Sequence, residues 1–578
     1  MINSLTETTQ AKLKELFQLI YQENTDWDCF EQILKKGEDT RQFLAAQTQP
    51  LPLDQSDVVL IAYADQFRRE GEKPLQTLGE VALRLFYPGI STIHILPFFP
   101  FTSDDGFSVA DYLAVHRDFG DWQDIKALSK NFRLMFDAVV NHTSVSHEWF
   151  QGFLSGDLQY KGFYITADPN DERLKWVVRP RALPLLTEFQ TKEGKVHVWT
   201  TFSADQADLN YANPKVFQKM TEALLDYVCY GAQFIRLDAI AYLWKEIGTT
   251  CIHLPQTHWI IQFWRCLLDE VAPYVRMITE TNVPHHENIS YFGNGTNEAH
   301  LVYNFALPPL ILHTVQTQNT RHLSRWASEL RTPSNQTAFL NFLASHDGVG
   351  VNPVRGILSD WEIDQLVTNI QKFGGLVSYK VNPDESRSPY ELNVNYYDAM
   401  NSVEFPLTEA EMVARFLTAH SVLLSLKGLP AIYVHSMIGS RGWREGVNLT
   451  GANRTINRQK LAAEEVLNEI QNSTSRRAKI WSGLNRMLAV RRKEAAFHPL
   501  ADQRVIFEDE RIFGLLRFDP QFKRDVFCVH NFSKDRMMVK LPDAANPWKD
   551  LLSASEEEFK QVIRLSPYQH RWLIKSTG

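Results

Sequence analysis

From residue 58 onward the sequence keeps one rhythm. Short runs of β-branched and aromatic residues alternate with segments whose apolar positions have helical spacing. The runs are Val58–Ala64, Thr92–Phe99, Arg133–Val140, Phe234–Ile240, Val275–Thr281, Leu301–Leu307, Ala338–Ala344 and Ala431–His435. Most are almost continuously apolar, as expected of parallel strands covered on both faces. Amphipathic segments such as Pro214–Tyr230 and His258–Val271 lie between them. Eight such strands alternating with helices predict an α/β protein built on a (β/α)₈ barrel.

Two gaps are too long for ordinary connections. They follow Asn141 and Asp347, both at the C-terminal ends of strands, where barrels of this kind carry their sites. The expected organisation is a helical N-terminal extension over residues 1–50 and a first barrel part over 51–141. An inserted subdomain over 142–209 and a second barrel part over 210–347 follow. A second inserted subdomain spans 348–408, the last barrel part 409–496, and a C-terminal antiparallel β-domain 497–578. In the extension, Leu13, Leu16, Leu19 and Ile20 are expected on one helix face; Pro50 and Pro52 mark a linker. The last domain is read from short alternating runs at Arg504–Glu508, Ile512–Phe518, Val526–Phe532 and Met537–Leu541.

Charge and cysteines narrow the function. With 60 basic against 68 acidic residues the net charge is −8, and no basic tract suited to nucleic acid is present. The pair Arg491-Arg492 reads as a solvated helix face. The five cysteines, Cys29, Cys229, Cys251, Cys266 and Cys528, are widely spaced and include no C-x-x-C, so neither a zinc site nor a disulfide framework is expected. Met1–Ile20 has no apolar core of a secretory signal and no stretch is long enough to span a membrane, so a cytoplasmic, membrane-free protein is expected. Aromatic residues make up 12% of the chain, enough to ask whether some form ligand platforms.

The strand ends carry acids. The third strand contains Asp137 and leads to Asn141-His142. The fourth ends in Arg236-Leu-Asp238, the fifth in Glu280, and the seventh runs into His346-Asp347. One acid at a strand end reads as a helix cap. Four, accompanied by an arginine and two histidines, suit glycosyl transfer with retention: an ionised carboxylate attacks the anomeric carbon and a protonated one serves the leaving oxygen.

These segments, Asp137-Ala-Val-Val-Asn-His142, Arg236-Leu-Asp238, Glu280 and Phe342-Leu-Ala-Ser-His-Asp347, resemble in order the four motifs of the α-amylase superfamily, glycoside hydrolase family 13. The resemblance implies Asp238 as nucleophile, Glu280 as general acid/base and Asp347 as transition-state stabiliser. It implies that Arg236, His142 and His346 hold the sugar. Ala241 and Tyr242 stand where starch-cleaving members often have Lys-His, which speaks against a polysaccharide hydrolase.

Further segments resemble the sucrose phosphorylase branch: Ser103-Asp-Asp-Gly-Phe107, Val198-Trp-Thr-Thr-Phe202, Gly248-Thr-Thr-Cys251, Asn304-Phe-Ala-Leu-Pro-Pro309 and Asn453-Arg454-Thr-Ile-Asn457-Arg458. The branch implies Asp104 and Arg454 on glucose hydroxyls, with Phe107 and Phe202 as ring platforms; taken singly, each Phe would read as core. Phosphate replaces water, so an oxyanion-binding cation is expected, and Arg181 of Arg179-Pro-Arg181 fits that need. The length, the N-terminal extension and the loop Asn382–Asn393 resemble the glucosylglycerate-cleaving members of the branch. A glycerate acceptor carries a carboxylate, for which Arg387 is the expected partner, with Tyr390 and Tyr242 bordering the acceptor.

The implied reaction is reversible phosphorolysis of 2-O-α-D-glucosyl-D-glycerate to α-D-glucose 1-phosphate and D-glycerate. Sucrose, sucrose 6-phosphate and glucosylglycerol phosphorylases are the alternatives inside the branch, and an α-glucoside hydrolase or transglucosidase lies outside it. The expected ligands are a sugar, phosphate as substrate and the acceptor; no cofactor and no metal are implied. A non-catalytic amylase-like scaffold fits less well, because such chains lose the acids. The sequence is silent on oligomeric state.

Overall fold

The computed structural model describes residues 4–382, 386–519, 524–543 and 545–576. Eight parallel strands close into a barrel: β1 Val59–Ala62, β2 Thr92–Ile95, β3 Arg133–Ala138, β4 Ala232–Leu237, β5 Arg276–Thr279, β6 Leu301–Tyr303, β7 Ala338–Asn341 and β8 Leu429–Tyr433. Each strand pairs with its neighbours in sequence, and β1 closes the ring on β8 through Val59–Ala431 and Ile61–Tyr433. Every residue of β1, β2, β5 beyond Arg276, β6, β7 and β8 is buried, which is why the strands read as continuous apolar runs. Strand β8 starts two residues before the expected Ala431 because Pro430 is accepted near its start, opposite Asn341.

The helices start where local chemistry directs them. Asn213 caps Pro214–Cys229, with Pro214 at the first helical position. Thr408 and Glu411 form a reciprocal capping box for Glu409–Ser425. Among the described residues no helix is long and apolar enough to cross a membrane.

The N-terminal extension forms α1 Glu7–Tyr21 and α2 Trp27–Ala45. They cover the barrel helices Pro214–Cys229 and Pro255–Val271. Phe17 packs between Phe30, Phe217 and Phe263 at ring separations of 5.3, 6.1 and 6.2 Å, and Arg41 meets Glu270 at 2.7 Å. The buried face is Leu13, Leu16, Phe17, Ile20 and Tyr21. Leu19 is not on it: at 100° per residue it points away, and it is 41% exposed.

Arg491 also departs from the sequence reading. It is 0% exposed, and its guanidinium donates to the carbonyls of Leu424, Phe497 and Gln55. It therefore ties the helix end, the start of the C-terminal domain and the interdomain linker together, while only Arg492 faces solvent.

After β3, His142–Ser144 pairs with Gln206–Asp208, and the hairpin Leu186–Thr191/Gly194–Trp199 projects beyond them. After β7, a three-stranded sheet forms from Val349–Gly350, Arg387–Asn393 and Leu376–Val381, in that spatial order, supported by the helix Asp360–Lys372. The C-terminal domain is a six-stranded sheet beside a two-stranded one, with its own core around Phe527, Trp548 and Leu573. Both insertions stand over the C-terminal mouth of the barrel.

Candidate active site

The barrel mouth opens into a narrow cleft. Its wall contains Asp104, Phe107, His142, Arg181, Phe202, Asp238, Tyr242, Glu280, His346, Asp347, Tyr390 and Arg454, so nearly all of the sequence-derived candidates converge there. Arg236 lies just beneath.

Arg236, on β4, organises the floor. It donates from Nη1 to Asp137 on β3 and, at 2.8 Å, to Asp238 Oδ1; its Nη2 is 3.7 Å from Glu280 Oε1. His94 on β2 donates to the other oxygen of Asp137 at 2.7 Å. Burial would raise the Asp137 carboxyl, but Arg236 and His94 hold it at about 2. One permanent cation is thus framed by carboxylates from three adjacent strands.

Asp238 and Glu280 form a coupled pair. Burial raises both above the usual carboxylate range; the Arg236 charge opposes this, and neighbouring carboxylates add to it. The 2.8 Å bond from Arg236 places the negative charge on Asp238. The guanidinium stands farther from Glu280, at 3.7 Å, so its charge opposes the burial of that carboxyl less directly, while the Ala239 N–H donated to Glu280 at 3.1 Å partly offsets the rise. That N–H is aimed by an unusual backbone: Ala239 is left-handed, at φ 50° and ψ 29°. The strain lies directly after the proposed nucleophile.

The third acid, Asp347, receives Arg454 Nη1 at 2.7 Å and Arg458 Nη2 at 3.2 Å on the same oxygen. Against burial, the permanent charges of Arg454 and Arg458 hold it far below the ordinary carboxylate range. Arg454 also forks onto Glu391, with Nε at 3.1 Å and Nη2 at 2.6 Å. Arg458 continues to Asp104 at 3.1 Å and Asp105 at 3.0 Å.

Asp104 therefore sits between two arginines, since Arg181 Nη2 reaches its other oxygen at 3.1 Å. They hold it ionised against the effect of burial. Its loop turns through three consecutive left-handed residues, Asp104, Asp105 and Gly106. Gly106 is obligatory there: a Cβ would come within 2.4 Å of the Pro97 carbonyl oxygen.

Phe107 is stacked on His346, with centroids 4.8 Å apart and planes at 7°, and is 6% exposed. Burial keeps His346 near 3, so the ring is neutral. His142 donates from Nε2 to the Phe107 carbonyl at 2.9 Å. Phe202 stands edge-on to Tyr242 at 5.6 Å with the Arg181 guanidinium 5.7 Å from its ring centre.

Arg387 is the exception. It opens the strand Arg387–Asn393, is exposed, and does not line the cleft. The strand alternation that brings Tyr390 to the cleft leaves Arg387 at the far end of the hairpin, beside Val381. The adjoining part of that acceptor loop, residues 383–385, lies outside the described residues.

Glu391 and Arg458 were missed as site residues although both stand in segments singled out above. Asn282 was missed too; it lines the cleft, and its buried Oδ1 has no hydrogen-bond partner among the described residues. Its position, two residues after Glu280, was the available signal. Lys245 was also missed, buried against Asp208 at 2.6 Å and Asn141 at 2.7 Å, where it fixes the loop after β3.

A closed (β/α)₈ barrel whose mouth gathers Asp238, Glu280 and Asp347 around buried arginines defines a class of α-glycoside-processing enzymes. Residues 64–357 match the alpha amylase catalytic domain, and the chain belongs to the α-amylase family. Within it, the chain is 47% identical to the glucosylglycerate phosphorylase of Spirochaeta thermophila, covering 97% of this chain and 98% of that one. It is 45% identical to the Escherichia coli glucosylglycerate phosphorylase over 90% and 92% of the two chains. The sucrose phosphorylase of Streptococcus mutans is more distant, at 28% over 72% of this chain and 84% of that one. In fold, the chain resembles the crystal structure of sucrose 6F-phosphate phosphorylase from Thermoanaerobacter thermosaccharolyticum, with a TM-score of 0.72, 23% identity, and coverage of 84% and 95%.

Proposed function

We propose that this enzyme is a retaining glycoside phosphorylase that interconverts 2-O-α-D-glucosyl-D-glycerate plus phosphate with α-D-glucose 1-phosphate plus D-glycerate. The observation that carries the choice of acceptor is the near full-length likeness to glucosylglycerate phosphorylases, against partial likeness at 28% to sucrose phosphorylases. The double displacement is supported by the pairing of an arginine-bonded Asp238 with a Glu280 whose carboxyl burial raises.

In the first step an Asp238 oxygen attacks C1 with inversion. The bond from C1 to the glycerate oxygen breaks, and Glu280 gives its proton to that oxygen. In the second step a phosphate oxygen attacks C1, the bond to Asp238 breaks with a second inversion, and the phosphate proton passes to Glu280. Asp347, held ionised by Arg454 and Arg458, stabilises positive charge on the ring. The sugar subsite comprises Asp104, Phe107, His142, Phe202, Arg236, His346 and Arg454.

Arg181 is our assignment for phosphate and for the glycerate carboxylate in turn, with Tyr390 and Tyr242 bordering that space. Arg181 is partly exposed at the cleft mouth and, among the described residues, pairs with one carboxylate, Asp104. The chemistry runs on carboxylates, with no cofactor. A cytoplasmic location belongs to the same proposal and is consistent with five free cysteines.

Synthesis from α-D-glucose 1-phosphate with D-glycerate, fructose, fructose 6-phosphate or glycerol tests the reading. D-Glycerate is expected to give the highest kcat/KM. Preference for fructose would overturn the acceptor assignment, and glucose release independent of phosphate would overturn phosphorolysis.

A further inference from the structure

Away from the cleft, three helices bring together a set of metal-type donors that the reaction does not use. His313 lies on the helix Leu307–Thr317, His322 on Arg321–Glu329, and Glu362 on Asp360–Lys372. His322 Nε2 is 2.9 Å from Glu362 Oε1, His313 Nε2 is 3.5 Å from the same oxygen, and no two of the three donor atoms are more than 4.8 Å apart. Donors at about 2.0–2.1 Å from a tetrahedral ion lie roughly 3.3 Å from one another, so small side-chain rotations suffice to place an ion among these three.

The surroundings favour a ligand site over a surface ion pair. Glu362 Oε2 accepts both the N–H and the hydroxyl of Ser359, at 2.8 and 2.7 Å, which orients the carboxylate and leaves Oε1 facing the two rings. His313 is buried, so its Nε2, 3.5 Å from Glu362 Oε1, faces the cluster rather than bulk water. His322 and Glu362 are partly exposed, so an ion has a path from solvent and room for a fourth ligand.

We propose that His313, His322 and Glu362 form a structural site for a divalent transition ion of the zinc class. The site joins two elements of different origin. The two histidine helices belong to the barrel wall after β6, whereas Glu362 belongs to the second insertion, whose helix supports the sheet carrying Tyr390 to the cleft and Glu391 to Arg454. An Asn369 to Gln316 bond of 3.1 Å marks the same seam. A bound ion pins the insertion to the barrel.

Titration of the chelator-stripped, full-length enzyme with Co²⁺ reads the site through its visible absorption, and Zn²⁺ is then used to displace it. The expected result is one Co²⁺ per chain at micromolar concentration, displaced by Zn²⁺, with a Tm several degrees higher in Zn²⁺ than in chelator. His322→Ala and Glu362→Gln, both at partly exposed positions, are each expected to weaken binding at least tenfold while phosphorolysis at 25 °C persists. Binding only at millimolar metal, or unchanged binding in both variants, would overturn the assignment. None of these readouts depends on which acceptor the enzyme uses.

Discussion

Arg454 is clamped between Asp347, at 2.7 Å, and Glu391, at 2.6 Å, so an acid of the second insertion fixes the cation that faces the third acid of the barrel mouth. Glu391 in turn accepts the Gly348 N–H at 2.8 Å, directly after Asp347. The substrate-facing position of Asp347 is thereby set from both sides.

Glu391→Gln removes the charge and keeps the shape. Arg454 then shifts its weight onto Asp347, and kcat for phosphorolysis is expected to fall about 10- to 100-fold. The loss of a buried charged partner lowers stability by about 1–3 kcal/mol. Steady-state kinetics together with denaturant unfolding check both; an unchanged kcat would separate Glu391 from the reaction.

Asp238→Ala is expected to reduce turnover on the order of 10⁴-fold or more, as removal of a nucleophile does. Glu280→Gln acts differently. It removes the alkaline limb of the kcat/KM profile, because the raised Glu280 carboxyl must hold its proton for the first step. It also spares substrates with activated leaving groups, which need no proton. α-Glucosyl fluoride against the natural substrate, measured across pH 5–9, distinguishes the two roles.

Arg181→Ala is expected to raise the KM for phosphate tenfold or more with little change in Tm, since this side chain is partly exposed and its ion pair is with Asp104, which Arg458 also holds. Arg387→Ala is expected to leave both KM values within twofold, because the residue is exposed and outside the cleft. Initial-rate measurements at varied phosphate and glycerate check the contrast.

Several histidines are buried and neutral. Burial holds His346, His435 and His570 near 3 and His420 and His530 near 4, against about 6.5 for a free imidazole. The unfolded chain therefore takes up protons that the folded chain refuses. Stability is complete above about pH 6.5 and declines as pH falls towards those lower values, by up to about 1.4 kcal/mol per pH unit for each ring. Thermal unfolding from pH 8 to 4.5 is expected to show Tm falling from near pH 6.5; a flat Tm down to 4.5 would refute it.

The barrel was legible because a strand buried on both faces writes a continuous apolar run, and the acids because they terminate those runs. What escaped was set by pairing across distance. Arg387 and Tyr390 belong to one strand, and only its pairing with Leu376–Val381 decides which end reaches the cleft. Arg454 lies within one short turn, Asn453–Asn457, and Arg458 directly follows it; both reach Asp347, whereas the sequence motif assigned a role to the first alone. Arg491 looked like a surface residue because its partners are backbone carbonyls, which leave no charge pattern to read.

The bracket of carboxylates around Arg236 has one more consequence. A guanidinium cannot be discharged at any pH where the protein is folded, so the charge at the base of the site is fixed. What remains mobile is a single hydrogen nucleus on Glu280. In the proposed cycle it leaves with glycerate and is replaced by one from phosphate, so the enzyme ends each turn with the proton count it began with. Any dependence of the equilibrium on pH therefore comes from how the free substrates themselves ionise, not from the enzyme.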